Sequence, residues 1–537
     1  MRSSFIAGSL LLVVLLGVTA CNSGDQPPAA ADVMSVINRG NGGDPGSLDP
    51  ALAEDVHAFN ILTDLYEGLI AESATGELVP GAAESWQISE DGLTYTFMLR
   101  DSARWSNGDA VTSHDFVRAF RRVANPTTAS VYGFLLEPIL HFTEVQNGTW
   151  PVDQLAVSAV DDSVFEIRLR GSAPHMLAVL AMPVAFPVHK SAVANGEFSN
   201  SDFFIGNGAY RLISHAVGGP TKLQRNPMYW DADSVVVDKI NYLPAVDPGT
   251  EFNMYRAGEI DITNTVPPES VQSLKESMPD QLRIAPSLAL YYLAFDLTEP
   301  PLDNRLLRQA LSMAIDRERL VSVLGRGEQA AFGIVPRGIA GHDSTEFEWR
   351  ALARDEQIRQ ARSLYREAGY NDESPLETTY LYDAGDIHEK IALVVTSMWR
   401  EVLGIEATLE KREWQYFLQT RGRRSEWQLM RFAWFGDYNH ASTFTNLFRS
   451  GDPQNLSAYA NPNYDRLLEE AAAGSGAAEQ AALVREAETL LLADHPIAPL
   501  YFHVSKHLVH PRIGGFKDNA LDRHPSKYLF LKANPKN

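Results

Sequence analysis

Cysteine is almost absent from this chain, because its 537 residues contain only Cys21. No disulfide can form within the chain, so its stability must come from an apolar core rather than from cross-links. Cys21 also follows directly on an N-terminal apolar run, which makes it an anchor candidate and excludes catalysis by a thiol. Long apolar runs are equally scarce: after residues 5–18, no stretch of the sequence could span a membrane.

Positive charge is also in short supply. The sequence has 46 Lys and Arg against 68 Asp and Glu, which gives a formal net charge of -22. A surface of this kind repels nucleic acid, and no basic cluster opposes that conclusion, so we expect no nucleic-acid partner. The composition, 45% hydrophobic and 21% charged, is typical of a soluble globular protein with two or three packed units.

The motifs of common enzyme chemistries are missing as well. The sequence contains no His-Glu-x-x-His, no Gly-x-Ser-x-Gly and no phosphate-binding Gly-rich loop. Gly206-Asn207-Gly208 lacks the third glycine of a dinucleotide fingerprint and is interpreted as a turn, while His388-Glu389 has no partner at metal-ligand spacing. We therefore expect no metal, no cofactor and no enzyme activity, although a pair of catalytic carboxylates would leave no local signature.

The N-terminus, in contrast, carries a clear signal. Met1-Arg2 provides a positive head, residues 5–18 are apolar, and Val18-Thr19-Ala20-Cys21 resembles a bacterial lipobox. We expect residues 1–20 to be a signal peptide and residues 21–31 to be a lipidated cysteine and its tether, which would hold the protein in the periplasm or at the cell surface. The alternative is an uncleaved helix with a buried free cysteine.

Strand and helix patterns alternate along the rest of the chain. Two-residue alternation predicts strands at 93–99 and 164–169. Thr112-Ser113-His114-Asp115 is a capping box that predicts a helix over 116–123. Further helices are predicted at 307–315, 358–368 and 478–493. The mixture predicts an α/β or α+β architecture.

The segment from Arg431 to Asn439 gives the most specific information about function. A short apolar run, interpreted as a buried strand, is bracketed by Arg431 and Asp437, six positions apart. From the residues alone, two interpretations stay open: the two charges are solvated strand ends, with Asp437 as a turn or cap residue, or they recognise a charged ligand. Trp434 is likewise either a core residue or a platform for a ligand.

This segment resembles the signature of the oligopeptide-binding proteins, the extracytoplasmic receptors of oligopeptide ABC transporters. Other stretches agree, in the family's order, from about Asp49 to the C-terminus: Ser47-Leu48-Asp49-Pro50, Leu65-Tyr66-Glu67-Gly68-Leu69, Pro80-Gly81-Ala82-Ala83-Glu84-Ser85-Trp86, Trp105-Ser106-Asn107-Gly108, Asn207-Gly208-Ala209-Tyr210 and Tyr255-Arg256-Ala257-Gly258-Glu259-Ile260-Asp261. The resemblance implies an α/β fold of the type II periplasmic-binding-protein class with three lobes, two of which close over the ligand cleft. The expected lobes are lobe I at 32–65, 190–290 and 504–537, lobe II at 66–189 and lobe III at 291–503.

The resemblance also implies roles for individual residues. Asp437 would pair with the α-ammonium of an extended peptide, and the backbone near Trp434 to Gly436 and in the loop 41–45 would bind the ligand main chain by strand addition. Aromatic residues would line the cleft, and Arg and His residues would offer cationic partners to the ligand's carboxylate. The expected ligand-contacting residues are Asp437, Trp434, Arg431, Arg421, His388, Tyr132, Phe435, Gly436, Asp44 and Tyr292.

The function that this resemblance implies is the capture of oligopeptides and their delivery to an ABC permease. We expect a monomer that touches the membrane only through the lipid on Cys21. The alternatives are a receptor for dipeptides, murein peptides, nickel complexes or haem, or a lipid-anchored hydrolase. Leu324-Gly325-Arg326 stands where better-known members carry a lysine, and Ala294 where some carry a glutamate, so the preferred length and side chains of the ligand stay open.

Overall fold

Eighteen strands and fifteen α-helices make up the described chain. The computed structural model describes residues 34–532 except 197, 340, 385, 422, 453 and 475, so Cys21 and the predicted signal peptide and tether lie outside the described residues. The α-helices are Val56–Leu65, Ser113–Ala124, Phe142–Gln146, Met176–Val179, Lys190–Asn195, Pro248–Ala257, Val271–Ser277, Arg305–Ala314, Arg317–Leu324, Arg354–Glu367, Asp386–Leu403, Trp414–Arg421, Ser442–Thr445, Pro462–Ala473 and Ala477–Asp494. Within these residues, none of the helices has both the length and the apolar character of a membrane span.

Three sheets of four or more strands organise the described residues. Sheet 1 consists, in spatial order, of Val36–Gly40, Lys239–Leu243, Thr221–Arg225 and Tyr210–Ser214, with its first pair parallel and the others antiparallel. Sheet 2 is antiparallel and consists of Ala83–Ile88, Thr94–Leu99, Val164–Arg168 and Val157–Ala159. Sheet 3 is mixed and consists of Gln329–Ala330, Ile497–Leu508, Leu282–Phe295, Leu429–Phe435, Thr379–Asp383 and Thr408–Arg412. Two short pairs complete the set: Ile70–Glu72 with Leu78–Pro80, and Ile513–Gly514 with Phe530–Leu531.

The sheets pack into separate apolar cores. One core combines residues of sheets 1 and 2, among them Phe97 and Tyr210, and a second combines sheet 3 with the helices around Trp399. A small third core contains Tyr255 and its neighbours. Because burial of apolar surface is the main stabilising contribution to folding, each core can keep its own shape while the parts of the chain move relative to one another.

Two long antiparallel strands, Leu282–Phe295 and Ile497–Leu508, connect these cores. Their outer ends, Leu282 and Leu508, belong to the small core, while their other ends belong to the core of sheet 3. The register between the two strands breaks after Pro286. A break in the hydrogen-bond ladder lets paired strands bend, so this pair has the construction of a hinge.

The predicted strands and helices are confirmed, with shifts at their ends. The predicted strands 93–99 and 164–169 are Thr94–Leu99 and Val164–Arg168. The predicted helices 116–123, 307–315, 358–368 and 478–493 are Ser113–Ala124, Arg305–Ala314, Arg354–Glu367 and Ala477–Asp494. The largest difference is at the start of the helix Arg354–Glu367, because its first turn is polar and shows no apolar periodicity. The lobe boundaries stay a prediction.

The capping box begins its helix as the sequence indicates, and its Asp115 also binds side chains outside the cap. One oxygen of Asp115 accepts the backbone N–H of Thr112 at 2.9 Å and the indole N–H of Trp105 at 3.1 Å. The other oxygen accepts from the guanidinium of Arg118 at 2.6 Å. Since Trp105 is fully buried, its N–H needs this acceptor inside the protein.

Replacing Asp115 by alanine (Asp115→Ala) is therefore expected to lower the free energy of unfolding by about 2–4 kcal/mol. The change removes a helix cap, worth about 1 kcal/mol, and leaves a buried indole N–H unpaired at a cost of about 1–3 kcal/mol. Urea denaturation followed by circular dichroism measures the effect. Asp162→Ala is the control, because the Asp162 carboxylate is exposed and pairs with the exposed His114; a loss no larger than in this control would contradict the assigned role of Asp115.

Candidate ligand-binding cleft

A cleft of about 420 Å³ lies beside the hinge strands. Its walls come from Arg39 and Gly40 at the end of a sheet 1 strand, from the helix Val56–Leu65, from Tyr132 and Met182, from residues 435–437, from 503–507 on a hinge strand, and from 516–524 near the C-terminus. The cleft is therefore bounded by segments from both large cores. A bend at the hinge would change the separation of its walls.

Asp437 lies on the wall of this cleft, just after the strand Leu429–Phe435. Its backbone N–H donates to the hydroxyl of Thr443 at 3.3 Å, and its backbone carbonyl accepts from Arg523 at 3.2 Å. Burial raises the pKa of the Asp437 carboxyl to about 6, although the positive charge of Arg523 acts in the opposite direction. In the described part of the chain, no side chain donates a hydrogen bond to this carboxylate, so its anionic form is costly in the free protein.

The guanidinium of Arg523 does not neutralise that carboxylate, because it already has an anionic partner. Its nitrogen lies 2.8 Å from a carboxylate oxygen of the buried Glu72. Arg523 therefore forms its ion pair with Glu72, and its contact with Asp437 is a hydrogen bond to the backbone carbonyl. A cationic group of a ligand could therefore pair with the Asp437 carboxylate, whose backbone is held in place by Thr443 and Arg523.

Two predicted aromatic residues line the same cleft. The ring of Tyr132 meets that of Phe59 edge-on, with 5.5 Å between the ring centroids. Burial raises the pKa of the Tyr132 hydroxyl, and the negative charge of Asp437 adds to the rise. Phe435 is 60% exposed, and its ring centroid is 5.2 Å from that of His503. Tyr132 and Phe435 both line the cleft, and their contact with a ligand stays a prediction.

Gly436 brings the chain close to the neighbouring hinge strand. Its N–H donates to the carbonyl of Leu288 at 2.6 Å. A Cβ atom at this position would lie 2.9 Å from a methyl carbon of Thr443 and 3.2 Å from the ring of Phe444. The close approach explains why a residue without a side chain stands directly before Asp437.

Trp434 packs against the core of sheet 3 and is partly buried. Trp434 belongs to the strand that ends just before Asp437, and it pairs there with Leu290 of the neighbouring hinge strand. The indole N–H is buried and has no hydrogen-bond partner among the described residues. A ligand or an ordered water that reached this N–H would satisfy it.

The predicted cationic residues lie away from this wall. Arg431 is buried and forms an ion pair with Asp383 through its Nε and Nη2 atoms. His388 lies with Nδ1 3.1 Å from the hydroxyl of Tyr291 and with Nε2 3.8 Å from Asp383. Burial lowers the pKa of His388 to about 4, and Arg431 contributes to this shift, so the ring is neutral at pH 7. Their roles as partners of a ligand carboxylate stay predictions.

Tyr292 and Asp44 are not among the residues that line this cleft. Tyr292 is 2% exposed, and its ring packs against Phe432 and Phe448 in the core, so its part in ligand binding stays a prediction. Asp44 accepts the backbone N–H of Gly218 at 2.8 Å, so it holds its loop in place. Arg421 ends the helix Trp414–Arg421, and its side chain lies outside the described part of the structure.

The sequence analysis missed the wall formed by the C-terminal residues. Arg523 contacts Asp437 across 86 positions of sequence, and residues 516–524 lie against the hinge strand. The polar run around Asp522 and Arg523 is visible in the sequence, but local spacing does not say where such a run packs.

Comparison with known proteins agrees with this geometry. Residues 77–455 match the family model "Bacterial extracellular solute-binding proteins, family 5 Middle". The chain is 35% identical over 539 residues to the periplasmic oligopeptide-binding protein OppA of Salmonella typhimurium, covering 99% of this chain and 98% of that protein. Among solved structures, the unliganded open form of the periplasmic murein tripeptide binding protein MppA superimposes with a TM-score of 0.87 at 34% identity, covering 93% of this chain and 98% of the other.

A second solved structure is the Haemophilus influenzae OppA complex with RPPGFSPFR. It superimposes with a TM-score of 0.72 at 32% identity and covers 93% of this chain and 99% of the other. At nearly equal identity, the chain therefore resembles the open form of MppA more closely than this peptide complex.

A cleft between separately packed cores that two strands join is the construction of a periplasmic-type solute receptor, and the predicted type II fold with three lobes is confirmed. More specifically, the chain belongs to family 5 of the bacterial extracellular solute-binding proteins.

The raised pKa of Asp437 predicts how stability depends on pH. The pKa is about 6 in the folded protein and about 3.9 in an unfolded chain. Because the folded pKa is the higher one, ionisation destabilises the folded state above pH 6, and the cost disappears as the pH falls from 6 towards 4. Asp437→Asn is expected to raise the free energy of unfolding by about 1–3 kcal/mol at pH 8 and by much less at pH 4.

Urea denaturation at the two pH values measures this difference. The control is Asp303→Asn, since Asp303 is exposed and its replacement should change stability by less than about 0.5 kcal/mol. If Asp437→Asn behaved like this control at pH 8, the Asp437 carboxylate would not be an uncompensated charge.

Proposed function

We propose that this chain is an extracytoplasmic lipoprotein that captures oligopeptides in extended form and delivers them to an ABC permease. The observation that carries the proposal is the carboxylate of Asp437, which is partly buried in the cleft and forms no ion pair within the described residues. Every peptide with a free amino terminus offers an α-ammonium, and a charge-assisted hydrogen bond in a shielded site is strong. The OppA relatives, named for oligopeptide binding, support this ligand class.

The strand before Asp437 supports binding of the peptide main chain. Leu429–Phe435 pairs along its length with one hinge strand, but on its other side the ladder with Thr379–Asp383 includes only Leu429 and Met430. Residues 433–435 therefore keep one backbone edge without a strand partner in the described structure. An extended peptide can add to such an edge whatever its side chains are.

Closure follows from the placement of these groups on different walls. The strand edge and Asp437 belong to the sheet 3 side, while Phe59 and Asn60 belong to the opposite side. A peptide that contacts both sides stabilises the arrangement in which they are close, so binding shifts the population towards the closed state. The likeness to the open form of MppA is consistent with a free receptor before closure.

Peptides of two to six residues, each with a free and an acetylated amino terminus, test the proposal by titration calorimetry. Acetylation, or Asp437→Asn, is expected to weaken binding by about 3 kcal/mol, roughly 100-fold, because one member of a buried pair is removed. For the free peptides, affinity should also fall as the pH drops below 6, where the Asp437 carboxyl takes up a proton.

The decisive comparison combines the two changes. If the α-ammonium contacts Asp437, acetylation should cost little further affinity in Asp437→Asn, because the partner is already gone. In the Asp303→Asn control, acetylation should cost as much as in the unchanged protein. Equal affinity for free and acetylated peptides would contradict the proposal. Binding of a murein tripeptide alone would favour the second candidate, which the likeness to MppA suggests.

The proposed location rests on Cys21. We propose that residues 1–20 are removed, that Cys21 is acylated, and that residues 22–31 tether the receptor to the membrane as a monomer. Two acyl chains anchor a protein stably. Cys21→Ser should therefore move the protein from the membrane fraction to the soluble fraction of the expressing bacterium, whereas Ser23→Ala should leave it with the membranes. An unchanged distribution for Cys21→Ser would contradict lipid anchoring.

A further inference from the structure

Three side chains outside the expected ligand set converge on one wall of the cleft. The Nε2 atoms of His507 and His524 lie 2.7 Å and 3.1 Å from the same carboxylate oxygen of Asp522. The potential ligand atoms of the three residues all lie within 4.8 Å of one another. The two histidine side chains are 8% and 6% exposed and that of Asp522 is 34% exposed, so the carboxylate is the part that solvent can reach.

Neighbouring groups hold the two imidazoles in this orientation. The Nδ1 atom of His507 lies 2.8 Å from the backbone carbonyl of Thr263 and must donate to it, so Nε2 is the ring nitrogen that faces Asp522. In the neutral imidazole this Nε2 carries a lone pair. The ring of Phe516 stacks on His524 with 3.9 Å between centroids and also meets the ring of His507 edge-on. A lone pair that faces a carboxylate requires a positive species between them, either a proton or a metal ion.

We propose that His507, Asp522 and His524 bind a divalent transition-metal ion of the Zn²⁺ type. Two imidazole nitrogens and one carboxylate oxygen are a suitable ligand set for such an ion, and the carbonyl of Thr263 orients one imidazole as the outer contacts of metal sites do. The three residues line the cleft. The remaining coordination positions are therefore open to water or to a donor atom of a guest in the cleft.

The cations on this wall are engaged elsewhere. The ammonium of Lys506 is directed at Glu328, at 3.5 Å, and the guanidinium of Arg523 is paired with Glu72. Arg39 donates to the backbone carbonyl of His524 at 2.8 Å. In a tetrahedral site with bonds of about 2.0–2.1 Å, adjacent ligand atoms are about 3.3 Å apart. The Asp522 oxygen, which lies 2.7 Å and 3.1 Å from the two Nε2 atoms, therefore needs to move away from them by less than about 1 Å.

Equilibrium dialysis of the full chain without an affinity tag against Zn²⁺ alone tests the proposal, with the bound metal counted by mass spectrometry. One Zn²⁺ per chain is expected, and His507→Gln, Asp522→Asn and His524→Gln should each weaken binding at least tenfold. His215→Gln is the matched control, because His215 is a partly buried histidine outside the cleft whose ring nitrogen contacts Thr221; it should bind as the unchanged protein does. Co²⁺ should show the absorption bands of a four-coordinate site in the unchanged protein and in His215→Gln only.

Absence of stoichiometric Zn²⁺ from the unchanged protein would overturn the proposal and leave a shared proton as the reason for the convergence. Equal binding by the three variants would overturn it as well. His524→Gln carries least risk to folding, because the Nδ1 atom of His524 has no hydrogen-bond partner among the described residues. The site does not depend on the proposed function: peptide titrations in the presence of a chelator test that function separately.

Discussion

The carboxylate of Asp437 determines the character of the cleft, because it is held largely away from water and no described residue forms an ion pair with it. Burial raises its pKa to about 6, and the guanidinium that approaches it is paired with Glu72. The free receptor thus contains a destabilised anion, which a cationic ligand would stabilise. In the proposed function, part of the binding free energy is the removal of this cost, and the same cost disfavours anionic guests.

The other features of the cleft keep this charge in position without defining a particular guest. The contact of Gly436 with Leu288 fixes the strand end against the hinge, and Arg523 holds the carbonyl of Asp437 from the opposite segment. The strand edge at residues 433–435, which has no strand partner in the described part of the chain, offers only backbone groups. In the proposed function, a site built from one charge, one strand edge and an exposed Phe435 recognises what peptides have in common and leaves their side chains largely unspecified.

Local signals in the sequence predict local structure, and they do so well here. The capping box around Asp115 and the apolar run before Asp437 each reveal an element and its position, because the residues that stabilise the element are neighbours in the chain. The partners of the charged residues are different. Arg431 meets Asp383 across 48 positions, and Arg523 meets Glu72 across 451. No periodicity encodes such pairs, so the sequence predicts that Arg431 is important but not that it is already ion-paired.

The same reasoning explains why no metal site is expected from the sequence. That expectation rests on the spacing of histidines within single elements, whereas His507 lies on a hinge strand and Asp522 and His524 lie in a C-terminal segment that packs against it.

Away from the cleft wall, the charges around Arg431 and His388 are arranged in the opposite way from those at Asp437. The guanidinium of Arg431 is balanced by Asp383, and His388 is neutral at pH 7. A ligand carboxylate that reached Arg431 would have to displace Asp383, the anion with which Arg431 is already paired. Such an exchange would gain little free energy. In the proposed function, the amino end of a peptide therefore sets its register against Asp437, while the carboxyl end contributes weakly. A receptor arranged in this way can accept peptides of different lengths, because lengthening the chain moves only the end that is bound less tightly.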